Sequence, residues 1–331
     1  MMERVLRFGV VGTGGMGRVH LQELARRDDA QIVALCDASA SALERARGLL
    51  GERGDHVRTF TELAQMLADT ELDAVVIATP HTEHAGQIMA ALRRGLHVLV
   101  EKPMATTAKD ARAVLAEAEA CNKVVAIAYQ RHGDPGYQRA REIVAAGSIG
   151  DIRLITVLIA QDCLQAFLPG RSWRADPALS GGGHFMDTGS HINDMMLWVS
   201  GLQPASVCAH IDRFGTLVDV CTALSIRFDN GAVGTFAATS LSPEWREEFS
   251  FYGTEGVLNI RDGQMYLQVK GQEPVTVTGE GSEVRPVEDF ITTIRGGKAE
   301  PQAPALCGLR VAQISEAAYK SAETGRSEPV G

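Results

Sequence analysis

The chain has 331 residues, a length that suits two domains or one large elaborated domain. Hydrophobic residues make up 45% of it, enough to bury a core, and the formal net charge of -9 argues against nucleic acid, which binds clustered Lys and Arg. No stretch approaches the ~18 uninterrupted apolar residues of a membrane helix, and the N-terminal segment lacks the features of a signal peptide. The six cysteines are scattered without a C-x-x-C pair. We therefore expect a cytoplasmic protein without a disulfide framework, a structural zinc site or a membrane partner.

Short apolar runs alternate with amphipathic stretches over the first 128 residues. The runs are rich in Val and Ile, which is typical of strands buried on both faces of a parallel sheet. Alternation of strands and helices indicates right-handed crossovers and predicts a Rossmann-type domain. The predicted strands are 5–11, 31–36, 73–79, 96–100 and 123–128, and the predicted helices are 16–27, 39–50, 61–69, 82–94 and 107–121.

The pattern changes after residue 130. A predicted helix at 135–146 precedes a long apolar run, and a glycine cluster at 181–183 opens another helix. Strand-like segments then follow one another without helices between them, which predicts an antiparallel sheet. The expected architecture is α/β, with a Rossmann domain over 1–128 and an α+β domain with a large, mainly antiparallel open sheet over 129–331. The predicted strands are 205–212, 219–228, 232–240, 246–253, 256–260, 264–269 and 273–278, with further helices at 286–295 and 305–323.

A glycine-rich segment follows the first predicted strand and matches the dinucleotide fingerprint G-x-G-x-x-G. Its glycines allow a tight turn, close approach of a pyrophosphate, and packing of the next helix against the strand. The free N–H groups at that helix N-terminus then favour phosphate. We predict contacts to NAD from Gly12, Gly14, Gly15, Met16 and Gly17.

Asp37 ends the second predicted strand, twenty residues after Gly17. A carboxylate at this point binds the ribose hydroxyls of NAD and repels the 2'-phosphate of NADP. The next two residues are Ala38 and Ser39, so no adjacent arginine is present to bind such a phosphate. NAD is therefore favoured, with NADP as the alternative. A purely structural role would make Asp37 a cap of the following helix.

Glu101, Lys102 and Pro103 follow the fifth predicted strand. The carboxyl ends of strands in an open α/β sheet face the ligand crevice. A lysine there can donate to a substrate hydroxyl and stabilise a developing alkoxide. Taken alone, Lys102 is better interpreted as a solvated lysine at a strand end.

The sequence GGGHFMDTGSHIND covers residues 181–194. On a helix, Asp187 and His191 stand at i and i+4 and share one face, and by spacing His184 and Asp194 share it too. An imidazole takes up a proton near neutral pH, and alcohol oxidation by hydride transfer needs such a base. The structural alternative is a capping carboxylate with an interior histidine.

These motifs together resemble the glucose–fructose oxidoreductase, inositol dehydrogenase and rhizopine-catabolism (Gfo/Idh/MocA) family, and the resemblance extends over nearly the whole chain. It rests on GTGGMG, Asp37, ATPHTEHA (78–85), EKP, GGGxxxDxGxH, AGSIGDIR (146–153), Trp173-Arg174, FYGTEGVL (251–258) and AYKSAETGR (318–326). It implies an NAD(P)-dependent dehydrogenase that oxidises a secondary alcohol of a sugar or cyclitol, or catalyses the reverse. It also implies catalytic roles for Lys102, Asp187 and His191, which we expect to meet beside one nicotinamide ring.

The resemblance further implies cofactor contacts from the segment 78–85 and the EKP motif. His84 is expected near the nicotinamide, and His81 stands where related proteins often carry Asn. The sheet of the second domain often forms a subunit interface in this family, so we expect a homodimer or homotetramer. The cofactor-side residues are Thr79, Pro80, His81, His84, Glu101 and Lys102, and the substrate-side candidates are Arg131, Trp173, Arg174 and His184, of which Trp173 better suits packing.

Three alternatives compete with a dehydrogenase that exchanges its cofactor. A metal site could draw on His184, Asp187 and His191, with His81 and His84 adding H-x-x-H, but the Asp/His pair has a role that requires no ion, so no metal is expected. An enzyme holding NAD tightly could use it transiently in glycoside cleavage or epimerisation. A ligand sensor on the same scaffold would not need Lys102 and His191, and both are present.

Overall fold

The structure is a computed structural model that describes residues 4–331. It divides into two compact units, each described by itself below. The first unit comprises the residues up to Ala105, then Lys109–Ala128 and Arg285–Leu306. The second comprises Thr106–Ala108, Tyr129–Val284 and Cys307–Gly331. The chain thus leaves and re-enters the first unit, whereas the sequence suggested one continuous segment per domain. Within residues 4–331, no helix combines the length and apolar character needed to cross a membrane.

The first unit contains a six-stranded parallel sheet in the order β3-β2-β1-β4-β5-β6, with the crossover pattern of a Rossmann fold. The strands are β1 Leu6–Val11, β2 Ala30–Cys36, β3 Arg58–Phe60, β4 Ala74–Ile77, β5 His97–Val100 and β6 Val125–Ile127. The helices are α1 Gly15–Ala25, α2 Ala40–Gly48, α3 Leu63–Asp69, α4 His84–Arg93 and α5 Ala108–Cys121, joined late in the chain by α9 Pro286–Ile294.

The burial of the strands in this unit explains why their apolar runs predicted them. Every residue of β4 is buried, as expected for a strand covered on both faces. Phe290 of α9 packs edge-on against Phe8 with ring centroids 6.3 Å apart, so α9 belongs to this core. Strand β3 was missed by the sequence analysis because its three residues are too short a run to show any period, and only Phe60 is buried.

The second unit contains a nine-stranded sheet in the order β14-β13-β12-β11-β7-β10-β9-β8-β15, antiparallel except for the pair β7 and β10. The strands are β7 Ile152–Asp162, β8 Pro204–Asp212, β9 Cys221–Phe228, β10 Val233–Thr239, β11 Leu241–Gly253, β12 Gly256–Arg261, β13 Gln264–Val269, β14 Val275–Val277 and β15 Glu328–Pro329. The helices are α6 Pro135–Ala145, α7 Pro177–Ser180, α8 His184–Ser200 and α10 Ala305–Thr324.

One face of this sheet packs on helices and the other is open. Phe236 of β10 meets Phe185 of α8 edge-on at 5.3 Å, and Phe185 also meets Tyr319 of α10. Alternate residues of β9 are exposed, as a half-covered antiparallel sheet requires. The fold class is therefore the α/β architecture expected, with the mainly antiparallel sheet in the second unit.

Candidate functional site

The glycine loop between β1 and α1 is shaped by two different steric demands. A Cβ on Gly12, whose φ is 81°, would lie 2.5 Å from the carbonyl oxygen of Ala78, and a Cβ on Gly17 would lie 1.9 Å from that of Gly12. These two positions pack backbone on backbone. By contrast, nothing lies within 4 Å of a Cβ placed on Gly14 or Gly15. The open side of the loop, at the N-terminus of an 11-residue helix, therefore fits a pyrophosphate.

Asp37 is bonded to this loop. Its Oδ2 accepts from the backbone N–H of Thr13 at 2.7 Å and from the Thr13 hydroxyl at 2.9 Å, and its Oδ1 accepts from the N–H of Ser39. The N-cap of α2 is Ser39, whose hydroxyl accepts from Ala42 N–H. The residue that caps α2 is therefore Ser39 and not Asp37. Asp37 places a half-exposed negative charge beside the glycine loop.

The turn after β5 holds Glu101, Lys102 and Pro103 at the carboxyl edge of the parallel sheet, the edge at which the glycine loop also leaves β1. Glu101 is buried, and its Oε1 lies 2.7 Å from Nε2 of His20 on α1. Its Oε2 accepts from the backbone N–H of Lys102 at 3.3 Å. The Glu101 carboxylate is thus bound by protein groups, and Lys102 is half-buried.

His84 is wholly buried and connects two loops of this unit. Its Nδ1 lies 2.8 Å from the carbonyl oxygen of Pro103, and its Nε2 lies 2.9 Å from that of Thr79. Burial and the neighbouring His81, whose ring centroid is 6.0 Å away, outweigh the two carbonyls and lower the pKa of His84 to about 4. The Thr79 hydroxyl donates to Gln87. His84 therefore holds the Lys102 turn from its Pro103 side.

The N-terminus of α8 in the second unit is capped by a residue far along the chain. Asp219 accepts from Gly183 N–H at 2.6 Å, Phe185 N–H at 2.7 Å and the Tyr319 hydroxyl at 2.6 Å. A Cβ on Gly183 would lie 1.9 Å from the Asp219 carbonyl oxygen, and one on Gly182 would lie 2.2 Å from the Tyr319 hydroxyl oxygen. Two of the three glycines of the 181–183 cluster therefore lie against protein atoms.

Asp187, in the first turn of α8, is paired with a predicted substrate residue. Its Oδ2 accepts from Nε of Arg174 at 2.6 Å, and the guanidinium lies 4.5 Å from the ring centroid of Trp173. Asp187 is 8% exposed. Arg174 is thus positioned by an ion pair and by a cation–π contact.

His191 lies one turn further along α8 and is half-buried. Its ring meets Tyr129 edge-on with centroids 5.7 Å apart. His184 is 1% exposed, and its Nε2 lies 2.8 Å from Oε1 of Gln161, which also accepts from the Thr188 hydroxyl. Asp187 and His191 thus share a helix face, whereas His184 is engaged in the interior.

Two further side-chain groups occupy the second unit. Arg131 forms an ion pair with the buried Glu247 of β11. His132 bonds Asp194 at 2.6 Å, and Cys307 offers its sulfur within 4.8 Å of both. The His132–Asp194 separation is a hydrogen bond, shorter than the roughly 3.3 Å between two ligands on one tetrahedral ion. Among residues 4–331, His184, Asp187 and His191 do not form a cluster whose potential ligand atoms lie within 4.8 Å of one another. The cluster that meets this distance consists of His132, Asp194 and Cys307.

Sequence reasoning missed three residues that hold these elements: His20, Gln161 and Asp219. His20 follows the glycine fingerprint by one helical turn, a spacing that was available as a signal. Asp219 and Gln161 lie on other segments than the residues they bind, and neither residue type nor spacing marks such pairs in the chain.

Comparisons with known proteins match both halves of the chain. Residues 6–129 match the family described as "Oxidoreductase family, NAD-binding Rossmann fold" (GFO_IDH_MocA), and residues 137–259 match the "GFO/IDH/MocA C-terminal domain". The rhizopine catabolism protein MocA of Rhizobium meliloti is 33% identical over 94% of this chain and 93% of its own length. The D-glucoside 3-dehydrogenase of Escherichia coli (strain K12) is 28% identical over 98% of this chain and 97% of its own length.

Solved structures show the same architecture. The WlbA dehydrogenase from Bordetella pertussis, in complex with NADH and UDP-GlcNAcA, superposes with a TM-score of 0.86 and 26% identity. The superposition covers 99% of each chain.

Proposed function

Because the chain belongs to the GFO/IDH/MocA family of NAD-binding oxidoreductases, we propose that it transfers a hydride between NAD and a secondary alcohol of a sugar or cyclitol. The observation that carries this proposal lies in the first unit. There the open glycine loop and the Lys102 turn leave the same carboxyl edge of one parallel sheet. The substrate class is supported by the names of related proteins, among them D-glucoside 3-dehydrogenase and inositol 2-dehydrogenase.

The residues around the glycine loop fit NAD. The N-terminus of α1 and the open side of Gly14 and Gly15 would receive the pyrophosphate, and Asp37 would bind the adenosine ribose. Its negative charge favours NAD over NADP. When bound, NAD supplies the carbon that accepts the hydride. We assign further contacts to Met16, Thr79, Pro80 and His81.

The proposed catalytic roles follow from the chemistry of three side chains. Lys102 donates to the substrate oxygen and stabilises its negative charge as it develops. His191 takes the hydroxyl proton, since an imidazole accepts a proton near neutral pH. Asp187, held by Arg174 at 2.6 Å, binds a neighbouring substrate hydroxyl or keeps His191 in register.

The decisive experiment is an absorbance assay for reduced nicotinamide. The purified protein is mixed with NAD or NADP and with a panel of inositols, free sugars, sugar acids and glycosides, and products are identified by mass spectrometry. Steady formation of NADH with one polyol supports the proposal. Glycoside cleavage or epimerisation without net NADH indicates transient use of a held cofactor. Binding of a sugar with neither product indicates a sensor.

The open face of the second unit's sheet supports self-association as a homodimer or homotetramer. Small side chains share one row across it, because Thr156, Thr235, Ser225 and Cys208 are neighbours in register. A row of small side chains lets a second copy of the same sheet approach closely. Light scattering after size exclusion should give a dimer or larger, and Thr235→Arg should shift it to monomer. A monomeric wild-type protein would contradict this proposal.

A further inference from the structure

His20 and Glu101 form a buried ion pair inside the first unit. The imidazole is 3% exposed and its Nε2 lies 2.7 Å from Glu101 Oε1. On its other side, Nδ1 lies 3.8 Å from Glu23, which Arg285 holds at 3.2 Å. A buried carboxylate without a partner is strongly unfavourable, so this pair is a condition of the local fold.

The pair joins two pieces of the proposed machinery. His20 lies on α1, whose first residue, Gly15, belongs to the glycine loop. Glu101 directly precedes Lys102, and its second carboxylate oxygen accepts the backbone N–H of that lysine. The contact therefore ties the helix behind the glycine loop to the turn that presents Lys102.

Both partners carry charge at neutral pH. Burial opposes the protonated ring, but the hydrogen bond to Glu101 and then the nearby Glu23 carboxylate prevail and raise the pKa of His20 to about 9. Burial likewise opposes the Glu101 carboxylate, but the hydrogen bond and charge of His20, with Lys102 and His84 next, lower the pKa of Glu101. The charged groups nearest the pair are therefore Glu23, which Arg285 holds, and Lys102, whereas His84, with a pKa of about 4, is neutral at this pH.

On the basis of the proposed function, we propose that His20 is a positioning residue for Lys102 that acts through Glu101. It fixes the turn and supplies the positive charge that the buried carboxylate requires. Without the charge of His20, the Glu101 carboxylate attracts the remaining nearby cation, the Lys102 amine. This attraction draws the amine away from the substrate. The role is indirect, because His20 itself contacts neither hydride nor substrate.

The first test measures how readily the Lys102 amine reacts. A brief pulse of acetic anhydride is followed by peptide mass spectrometry, with and without NAD, and the exposed Lys270 serves as the internal standard. His20→Gln leaves the Glu101 charge unbalanced and favours the unreactive ammonium, so acetylation should slow by about three- to tenfold. Glu101→Gln should speed it, and the double variant should return near wild type.

The opposite signs separate a charge effect from a folding defect. In the double variant, two neutral glutamine amides at positions 20 and 101 can hydrogen-bond to each other, so this variant also provides a folded control. Equal labelling in all four proteins, or slower labelling in both single variants, overturns the proposal. None of these measurements requires a substrate, so they stand whether or not the panel yields NADH.

The second test uses pH. Because the pKa of His20 lies at about 9 in the folded protein and at 6.5 for an unperturbed histidine, the pair stabilises fully below pH 6.5, and this stability is lost as pH rises to about 9. The melting temperature of the wild type should therefore fall over this window more than that of His20→Gln. Parallel curves would show that His20 gains no charge on folding and would overturn the proposal.

The third test separates positioning from cofactor binding once a substrate is known. His20→Gln should lower kcat about tenfold, the size typical of one lost positioning contact. NAD affinity, measured by fluorescence, should stay within about threefold, because the open glycine loop is untouched. Loss of NAD affinity with unchanged kcat would assign His20 to the cofactor site and contradict the proposed role.

Discussion

Each unit places a buried carboxylate behind its proposed catalytic residues, but the two carboxylates are balanced differently. Glu101, in the first unit, is balanced by the charged ring of His20. Asp219, in the second, accepts from two backbone N–H groups and a tyrosine hydroxyl. The donors to Asp219 do not titrate near neutral pH, since burial and then Asp219 raise the pKa of Tyr319 well above its usual value.

Two carboxylates that are equally buried can therefore respond differently to pH and to substitution of their partners. A carboxylate balanced by histidine is linked to pH, because deprotonation of the ring removes the balancing charge. A carboxylate balanced by N–H groups at a helix N-terminus binds the backbone directly and stabilises the helix itself. We therefore expect changes near Glu101 to alter turnover first, and changes at Asp219 to alter stability first.

The largest expected effect comes from Lys102, the side chain that Glu101 precedes. Lys102→Met keeps an unbranched side chain one atom shorter than lysine but removes the charge that stabilises the alkoxide, so kcat should fall about 100- to 1,000-fold. NAD affinity, measured by fluorescence, should stay within about threefold, because the glycine loop supplies the phosphate contacts. Full activity in this variant would remove Lys102 from the mechanism.

Asp219 should show the next largest effect, on the free energy of unfolding. In Asp219→Asn an amide NH2 replaces one acceptor oxygen and faces buried donors, which should cost about 3 kcal/mol. The matched control is Asp212→Asn, because Asp212 is exposed and accepts a single N–H from Phe214. Denaturant unfolding of both variants measures the difference. Equal stabilities would show that the helix cap is dispensable.

The same contrast explains how far sequence reasoning reached. Five of the six Rossmann strands, the glycine loop and the Lys102 turn were predicted because each depends on consecutive residues and on a pattern visible in the chain. The partners of α8 were not, because Asp219 lies 36 residues from Gly183, which it caps, and Gln161 lies 23 residues from His184. The assignment of 286–295 to the second domain failed for a related reason, since only packing against Phe8 shows where α9 belongs.

A smaller effect is expected at Gly17, on the helix that carries His20. A Cβ there would lie 1.9 Å from the carbonyl oxygen of Gly12, so Gly17→Ala must displace the loop, at a cost of about 2 kcal/mol. NAD affinity should fall more than tenfold, measured by fluorescence titration. Gly86→Ala is the matched control, because nothing lies within 4 Å of its Cβ within α4. Equal losses in both variants would contradict the steric reasoning.

Asp37 extends the comparison to a third carboxylate and should show the smallest effect. Like Asp219 it accepts from N–H and hydroxyl donors, at Thr13 and Ser39, but it is half-exposed, so its charge remains available to a ligand. Asp37→Ala combined with Ala38→Arg removes that charge and adds one that pairs with a 2'-phosphate. The ratio of NAD to NADP affinity should fall about tenfold, worth roughly 1.4 kcal/mol.

The control for this change is Asp37→Asn alone, which keeps one acceptor for the Thr13 donors while removing the charge. If charge governs the choice of cofactor, Asp37→Asn should move the ratio part of the way without a loss of melting temperature. If the ratio holds in both variants while the melting temperature falls, Asp37 serves the loop in the way that Asp219 serves α8. Hydrogen bonding alone would then fail to distinguish a carboxylate that stabilises the fold from one that binds a ligand. Exposure and hydrogen bonding would have to be considered together.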